Sequence, residues 1–412
     1  MPQARWLRLF SAVAAVLAAA LLPAMALGEE TVTPEQQEAR KREAEASEDP
    51  LKQRQAEKVD RPDLWSDEPS GLDLYGSVRL RYRKAGGETV LGDGGSRIGL
   101  NANWQYRPQS WLHGRVEAGF NVLDAFDRVF SPGSRGASDG ALITPRLYYA
   151  GVETPRLIAS FGKIWSTYYQ VTAFTDLFDS TGGSASGTYN AQTDGGPSGT
   201  GRADSVLQTR LTVDWFPESL NVKPFDMNVQ LQYDRKIPHV ADARYGLALG
   251  LSGVFKTQRD TEVGVAYNYA DVKDERAPAV VASGIDSDAH ALAISARRIS
   301  HRWYLASTVA RLFNHETTDQ KRYIDAWGWE LYGRYRLVGK LWAVGGWNWL
   351  KPDGGQPLAG LYRVKYAVLG LRYSIKEFRR LVYVEARFDS SRDADGTQIG
   401  DSVALGVRWD FD

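Results

Sequence analysis

The chain has 412 residues, and its 50 Lys and Arg balance 50 Asp and Glu, so no strongly basic surface for nucleic acid is expected. It contains no Cys and only five scattered His, which excludes disulfide frameworks, thiol nucleophiles and Cys-ligated metal sites. The common hydrolase and nucleotide-binding motifs do not occur in it. We therefore expect no catalytic site, no cofactor and no metal ion. Forty Gly beside 20 Tyr and 13 Trp are typical of an all-β protein with many turns.

The first residues have the pattern of an export signal. Two arginines precede the apolar run Leu9–Leu22, and Ala24 and Ala26 frame a small-residue cleavage site. A retained membrane helix is the alternative, but the run is short and acidic residues follow it. The pattern predicts a cleaved signal peptide over residues 1–26, with cleavage after Gly28 as the alternative, and an exported mature chain.

A charged segment follows the signal. Glu29–Ser70 carries 13 acidic and 7 basic residues, and its apolar residues are too sparse to form a packing face. Thr33 before Pro34, with Gln36 close behind, is a helix-start pattern. Residues 27–70 are therefore expected to be a periplasmic extension, helical or disordered, with a weak coiled coil or a cell-wall contact as alternatives.

From Gly71 onward, apolar and polar residues alternate with period two in runs of about 10 residues, the length of a tilted membrane-spanning strand. Aromatic residues cluster at the ends of the runs, and short connections alternate with long ones, as in outer-membrane barrels. Residues 71–412 are thus predicted to form a closed transmembrane antiparallel β-barrel of 16 strands, with 18 as the main competing count. The strands are expected to be centred near residues 77, 101, 117, 149, 160, 210, 230, 249, 266, 293, 308, 331, 345, 368, 384 and 407.

One connection is much longer than the rest. About 38 residues separate the strand ending near Ile164 from the strand starting near Ala203. A structureless loop of this length is uncommon and usually functional. An exposed surface loop would not need apolar residues, whereas a loop packed inside the barrel would. The segment combines apolar and acidic residues, namely Phe174, Asp176, Leu177, Phe178 and Asp179.

The segments Arg146–Val152, Ser160–Lys163 and Phe174–Phe178, with Gly182 and Gly183, resemble the general porins of Gram-negative bacteria. In that family the third external loop folds inward and narrows the channel. The resemblance implies an outer-membrane barrel, usually a homotrimer, surrounded by lipids and lipopolysaccharide and passing ions and small hydrophilic solutes down their gradients. Two departures are Asp412, which follows the terminal aromatic Phe411, and the charged N-terminal extension.

Selectivity in such a channel depends on charged side chains that line a narrow passage. The alternation directs arginines of the early strands into the lumen, and the resemblance implies that they face acidic residues of the inward loop. Asp194 and Asp204 are instead interpreted as turn or loop-base residues. The predicted constriction consists of Asp176 and Asp179 opposite Arg79, Arg81, Arg97 and Arg115, with Arg83 and Arg146 as weaker candidates.

Other functions stay open on the sequence alone. A substrate-selective channel for sugars, anions or an exported polysaccharide would show an aromatic slide or a dense Lys/Arg ladder. A barrel enzyme would need a nucleophile beside His113 or His290, and no such partner is found in the sequence. An adhesin would have no use for an inward loop. Trp342, Trp347 and Trp349 fall in both registers of one strand, so the pattern does not assign their faces.

Overall fold

The computed structural model describes residues 71–123, 143–213, 225–256, 260–376 and 379–411. Most of these residues belong to a single antiparallel sheet. The predicted signal peptide, the predicted extension over residues 27–70 and Asp412 lie outside the described residues. The strands are β1 (Gly71–Ala85), β2 (Glu88–Asp93), β3 (Arg97–Arg107), β4 (Ser110–Phe120), β5 (Ile143–Glu153), β6 (Leu157–Trp165), β7 (Arg202–Val213), β8 (Phe225–Lys236), β9 (Arg244–Lys256), β10 (Thr261–Val272), β11 (Ala289–Ile299), β12 (Trp303–Thr317), β13 (Tyr323–Val338), β14 (Leu341–Pro352), β15 (Val364–Lys376), β16 (Arg380–Asp389) and β17 (Ser402–Phe411).

The sheet closes on itself because the first strand pairs with the last. β1 and β17 are antiparallel in register from Gly76 opposite Phe411 to Ala85 opposite Ser402. On its other side, β1 pairs first with β3 and then, beyond Ser77, with β2. β2 and β3 therefore share one position, and the barrel has 16 strands. The predicted count is confirmed, and each predicted strand centre lies inside an observed strand.

The break between β2 and β3 was not predicted. It contains Gly94, Gly95 and Ser96, and the carboxylate of Asp93 accepts hydrogen bonds from the backbone N–H groups of Gly95 and Ser96. Gly95 has a φ of 95°, a conformation that glycine adopts without strain. An Asx turn of this kind bends the strand without ending its pairing to β1.

The alternation has the direction that a membrane barrel requires. Leu72 and Leu74 on β1 are 70% and 58% exposed, while Ser77 on the same strand is buried. On β17, Val403, Leu405 and Val407 are exposed and the residues between them are buried. The apolar residues therefore face outward, toward lipid, and the polar residues face the lumen.

The connections differ at the two ends of the barrel. The turn between β3 and β4 and the turn between β13 and β14 have two residues each, whereas the connection from β6 to β7 is the longest that is fully described. Short turns mark the periplasmic end of outer-membrane barrels and long loops the external end. The long connections include α1 (Tyr169–Thr172), a 3₁₀ turn at Asn190–Gln192, and α2 (Pro278–Ser283).

Across the ranges that the structure covers, no helix combines the length and the apolar character needed to cross a membrane.

Aromatic rings cover glycines at the line where the barrel closes. The ring of Phe411 lies over Gly76 of β1, where a Cβ would overlap it. In the neighbouring pair of β16 and β17, Tyr383 covers Gly406 in the same way on the lumen side. Such cross-strand packing of an aromatic ring on a glycine fixes the register of the strand pair.

We expect Phe411→Ala to lower the amount of folded barrel in the outer membrane severalfold. The closing strand pair would lose the ring that covers Gly76, and the last outward-facing aromatic residue would be removed. Deleting Asp412 should leave the amount unchanged or raise it. The measurement is the quantity of folded, heat-modifiable protein in outer-membrane fractions.

Phe388 provides the matched control, because it is also an outward-facing phenylalanine, on β16 and away from the closing pair. Phe388→Ala should reach nearly normal levels. Equal levels of the Phe388 and Phe411 variants would show that the closing position of Phe411 has no special role.

Candidate pore constriction

The connection between β6 and β7, which we call the inward loop (Trp165–Arg202), lies inside the barrel. Its backbone contacts lumen-facing side chains of strands spread over more than half of the wall. Gln230 of β8 donates to the carbonyl of Gly199, and Asn268 of β10 donates to that of Ser198, at 3.0 and 2.8 Å. On β12, Tyr304 donates to the carbonyl of Phe174 at 2.7 Å. The arc from β8 to β16 therefore supports the loop.

Glu330 of β13 is a fully buried anchor for the loop. Its carboxylate accepts the backbone N–H groups of Ala185 and Ser186 at 2.8 and 2.9 Å and the hydroxyl of Thr175 at 2.6 Å. Three donors converge on one carboxylate, and such hydrogen bonds to a charged acceptor are about twice as strong as neutral ones.

Glu385 of β16 is a second anchor of the same kind. It accepts the N–H groups of Asp179 and Ser180 at 2.9 and 2.8 Å. Together, Glu330 and Glu385 satisfy backbone donors that the loop could not pair by itself.

Glycines in the wall make room for the loop. A Cβ on Gly328 of β13 would overlap the carbonyl of Ala185, and one on Gly346 of β14 would overlap the ring of Phe178. Gly264 of β10 is similarly covered, by Val171. The absence of a side chain at each position lets the loop approach the wall at backbone distance.

The apolar residues of the loop are buried by this approach. Phe174, Leu177 and Phe178 belong to one cluster with wall residues such as Tyr332 and Val344. The ring of Phe178 packs edge-on against Tyr332, with centroids 4.8 Å apart. Their burial is the reason for the apolar content that was unusual for a loop.

The structure places the two predicted acidic residues against neighbouring groups of the loop and wall. Asp179 forms a salt bridge with Arg372 of β15; the side chains are 3% and 0% exposed. The carboxylate of Asp176 accepts the hydroxyls of Tyr169 and Tyr189 at 2.9 and 2.8 Å. Burial, followed by the charge of Asp176, raises the pKa of both tyrosines well above the usual range, so both remain hydrogen-bond donors.

The predicted arginines lie on the remaining arc of the wall. Arg81 reaches the loop, but it donates to the carbonyl of Ser180, at 3.2 Å, and not to a carboxylate. Arg79 donates to Ser77 at 2.7 Å. Asp179 pairs with Arg372 and not with the predicted arginines, because β15 lies immediately beside that part of the loop.

The other two predicted arginines bind their own wall. Arg97 lies 3.7 Å from Glu117, which also binds Arg146 at 2.6 Å. Arg115 donates to Asn101 at 2.8 Å, and its guanidinium lies 5.0 Å from the ring centre of Tyr75.

Inward arginines outnumber inward carboxylates on the arc formed by β17, β1 and β3–β5. The alternation of each strand assigns the faces, except for Arg146, which lies at a register shift of β5 and is assigned by its contact with Glu117. The arginines are Arg79, Arg81, Arg83, Arg97, Arg115, Arg146 and Arg408, and the carboxylates are Asp73, Glu117, Glu153 and Asp410.

The base of the loop is held by a separate ion cluster. Lys163 binds Asp194 at 2.9 Å and also contacts Asp204, and Arg202 binds Asp194 at 3.2 Å. Burial acts to raise the pKa of Asp194, but the charges of Arg202 and Lys163 outweigh it and leave the pKa below its usual value. The placement agrees with the interpretation of Asp194 and Asp204 as loop-base residues.

Sequence reasoning missed Arg372, Glu330 and Glu385. The signal was present, because each is a charged residue at an inward position of an alternating strand. Around Arg372, the outward residues Leu371 and Tyr373 are exposed, which assigns the arginine to the lumen. Trp342 also faces inward, whereas Trp347 and Trp349 face outward.

The chain is similar in sequence and structure to known outer-membrane porins, although no family model matches it. It is 25% identical over 344 residues to the outer membrane porin PhoE of Enterobacter cloacae, covering 82% of this chain and 91% of that protein. Among solved structures, OmpF of Salmonella typhi in complex with daunomycin has a TM-score of 0.66 and 19% identity, over 83% of this chain and 98% of the other. The anion-selective porin of Comamonas acidovorans has a TM-score of 0.60 and 15% identity, over 83% and 100%.

The structural matches concern the fold, which is a closed 16-strand barrel in which the first and last strands pair. The sequence match extends over most of both chains, and the matched protein is a porin. The protein is therefore an outer-membrane porin that is similar to the general porins of Gram-negative bacteria, and it forms a water-filled channel for small solutes.

Proposed function

We propose that the inward loop (Trp165–Arg202) forms the constriction of this channel and that the passage lies between the loop and the arginines of β1 and β3–β5. The observation that carries the proposal is the anchoring of the loop on the opposite arc by Glu330 and Glu385. A loop fixed to one side of the lumen leaves the passage on the other side. The contact of Arg81 with the carbonyl of Ser180 marks the place where loop and arginine wall meet.

In this proposal the passage favours anions. The acidic side chains of the loop are occupied within their own side of the lumen, Asp179 by Arg372 and Asp176 by two tyrosine hydroxyls. The arginine excess on the remaining arc then dominates the potential along the passage. In a narrow, partly desolvated channel, one charge a few ångströms from an ion is worth on the order of a few kcal/mol before screening.

We also propose that the protein works as a homotrimer in a bilayer that contains lipopolysaccharide. The outer face of the barrel is apolar on β1, β3 and β4, where Leu74, Leu100 and Val116 are exposed. Such a surface is suited to contact with lipid or with neighbouring barrels. The number of three subunits comes from the resemblance to general porins, which are usually homotrimers.

Trimer formation can be measured directly. In mild detergent, native mass measurement should give three times the chain mass, and the complex should dissociate to monomers on boiling. The physical reason is that three closed barrels stay folded while their apolar outer faces pack together. A monomer under mild conditions would contradict the proposed assembly.

Charge substitutions should shift ion selectivity in opposite directions. Arg79→Gln with Arg81→Gln should move the reversal potential in a salt gradient toward cations, because two positive charges leave the passage wall. Asp176→Asn with Asp179→Asn should move it toward anions, because the charge of Arg372 is released from its partner. Both shifts should shrink between about 0.1 M and about 1 M salt, where the Debye length falls to about 3 Å.

Arg380 provides the matched control for the arginine substitutions. It lies on the outer surface, with its guanidinium 3.9 Å from the ring centre of Trp409. Arg380→Gln should leave the reversal potential unchanged. A wild-type reversal potential at low salt in both double variants would show that neither Arg79 and Arg81 nor the released charge of Arg372 acts on ions in the passage.

Shortening the loop should widen the channel. Deleting Thr175–Gly187 removes the segment that fills the lumen beside β12–β16 and contacts Glu330 and Glu385, so single-channel conductance should rise. Planar bilayer recordings give the conductance, and heat-modifiable migration shows that the barrel has folded. Unchanged conductance of a folded deletion variant would place the constriction elsewhere.

A further inference from the structure

A patch on the outer surface of β13–β15 combines tryptophan rings with lysine ammonium groups. The register places Trp329 of β13 opposite Trp349 of β14, and Trp349 opposite Lys365 of β15. Trp347 and Lys351 flank Trp349 on the same face of β14, because residues two apart in a strand project to one side. We call these five residues the lysine–tryptophan patch.

The patch faces away from the lumen. Trp329 is 40% exposed, and Leu369 and Leu371, which share the face of Lys365, are 59% and 44% exposed. On the opposite face of β15, Arg372 is buried against the inward loop. The patch therefore belongs to the surface that the membrane covers.

Its level along the barrel is the external boundary of the bilayer. Lys351 is the penultimate residue of β14 and Lys365 is the second residue of β15, on either side of the long connection over residues 353–363. Long connections mark the external end of such a barrel. The tryptophans lie at this level or just below it, where indole rings of membrane proteins meet the lipid headgroups.

Each lysine is held against a tryptophan ring. Nζ of Lys351 lies 5.6 Å from the ring centre of Trp349, and Nζ of Lys365 lies 5.7 Å from that of Trp347. A cation over an aromatic face is attracted by the quadrupole of the ring. This attraction keeps both ammonium groups at the edge of the apolar wall.

The two lysines differ from a stacked cation nearby in the same girdle. Arg311 of β12 lies 5.2 Å from the ring centre of Trp327, and it donates to the carboxylate of Asp353 at 2.7 Å. Among the residues that the structure describes, neither Lys351 nor Lys365 has a carboxylate partner. Their counter-charge must therefore come from outside the described chain, and lipid headgroups lie against this surface.

A second barrel offers the lysines no counter-charge through the apolar face proposed above for contact between subunits. The outward positions of β1, β3 and β4 contain no Asp or Glu. A phosphate of a lipid headgroup supplies both the negative charge and the hydrogen-bond acceptors that an ammonium group needs. Charge complementarity therefore favours a phosphorylated lipid over a second copy of the chain.

We propose that the lysine–tryptophan patch binds the phosphorylated headgroup of a glycolipid in the external leaflet. The ammonium groups of Lys351 and Lys365 donate to phosphate oxygens, and exposed apolar residues below them, such as Leu369, contact the acyl chains. Two cations on one patch favour a headgroup that carries two phosphates. The inference rests on the lipopolysaccharide-containing bilayer proposed above and gives that lipid a site on the barrel.

Titration with diphosphoryl lipid A tests the site. Native mass measurement of the purified protein in mild detergent counts the lipid molecules bound per chain. The Kd should rise about fivefold in Lys351→Gln and in Lys365→Gln, and about twentyfold when both are combined, because each lysine near a phosphate strengthens binding by a similar factor. An unchanged Kd in the double variant, with heat-modifiable migration showing a folded barrel, would overturn the proposal.

The number of phosphates gives a second readout on the same proteins. Monophosphoryl lipid A should bind the wild type about fivefold more weakly than diphosphoryl lipid A, because one ammonium group loses its partner. The double glutamine variant should no longer distinguish the two lipids. An equal preference in the wild type and the double variant would contradict the assignment of the phosphates to these lysines.

Lys84 provides the matched control. It is an exposed, outward-facing lysine at the external end of β1, and its ammonium group packs on no aromatic ring of the described residues. Lys84→Gln should leave the Kd unchanged, whereas Trp347→Leu, which removes the ring beside Lys365 but keeps both charges, should raise it about threefold. A loss in Lys84→Gln as large as that in Lys365→Gln would show that only net charge matters, and would reject the site.

Two further outcomes would identify other occupants. Inorganic phosphate in large excess should not displace lipid A, because the free ion has no acyl chains to bury on the wall. Displacement would identify a site for small anions instead. Dissociation of the native assembly in the lipid-free double glutamine variant would identify the patch as a subunit contact. Either result would overturn the proposal.

The lipid site and the channel proposals can fail separately. Lipid is counted per chain, so a monomer would contradict the proposed trimer without affecting this measurement. Reversal potentials of the Arg79 and Arg81 variants test the constriction alone. An unchanged Kd in the lysine variants of a protein that is trimeric and selective as proposed would reject only the lipid site.

Discussion

The bilayer supplies no hydrogen-bond partners to the backbone, and this constraint determines the rest of the structure. It requires the sheet to close, which the pairing of β1 with β17 achieves. Closure separates two environments, so every strand must present apolar residues to lipid and polar residues to water. A 16-strand barrel encloses a lumen too wide to be filled by its own side chains. Selectivity therefore needs an additional element inside it.

The inward loop meets that need, but it brings irregular backbone into a confined space. Its N–H groups require acceptors, and the wall provides them as the carboxylates Glu330 and Glu385. Its apolar side chains require a surface, and wall glycines such as Gly328 and Gly346 let the loop come close enough to bury them. Loop and wall are thus specified together, and a substitution in either one changes the fit of both.

Period-two alternation made the strands predictable, because lipid and water act on every strand in the same way. The length and apolar content of the inward loop indicated its position, because apolar side chains in a long loop need a surface on which to be buried. The partner of Asp179 was not predictable from spacing, since Arg372 lies 193 residues away in the chain. Alternation shows that Arg372 faces the lumen, but only the register and the position of the loop show which carboxylate it meets. The division of β2 from β3 depends on a local Asx turn, which strand periodicity does not report.

The charge pairs of the loop change how the electrostatics of the proposed constriction should be understood. A loop carboxylate directed across the lumen would oppose the arginine wall and create a transverse field. Asp179 is instead committed to Arg372, and Arg81 meets the carbonyl of Ser180. In our proposal the loop therefore acts mainly through its shape and its backbone dipoles. The sign of selectivity then depends on the arginines of β1 and β3–β5, and the loop determines how closely a solute must pass them.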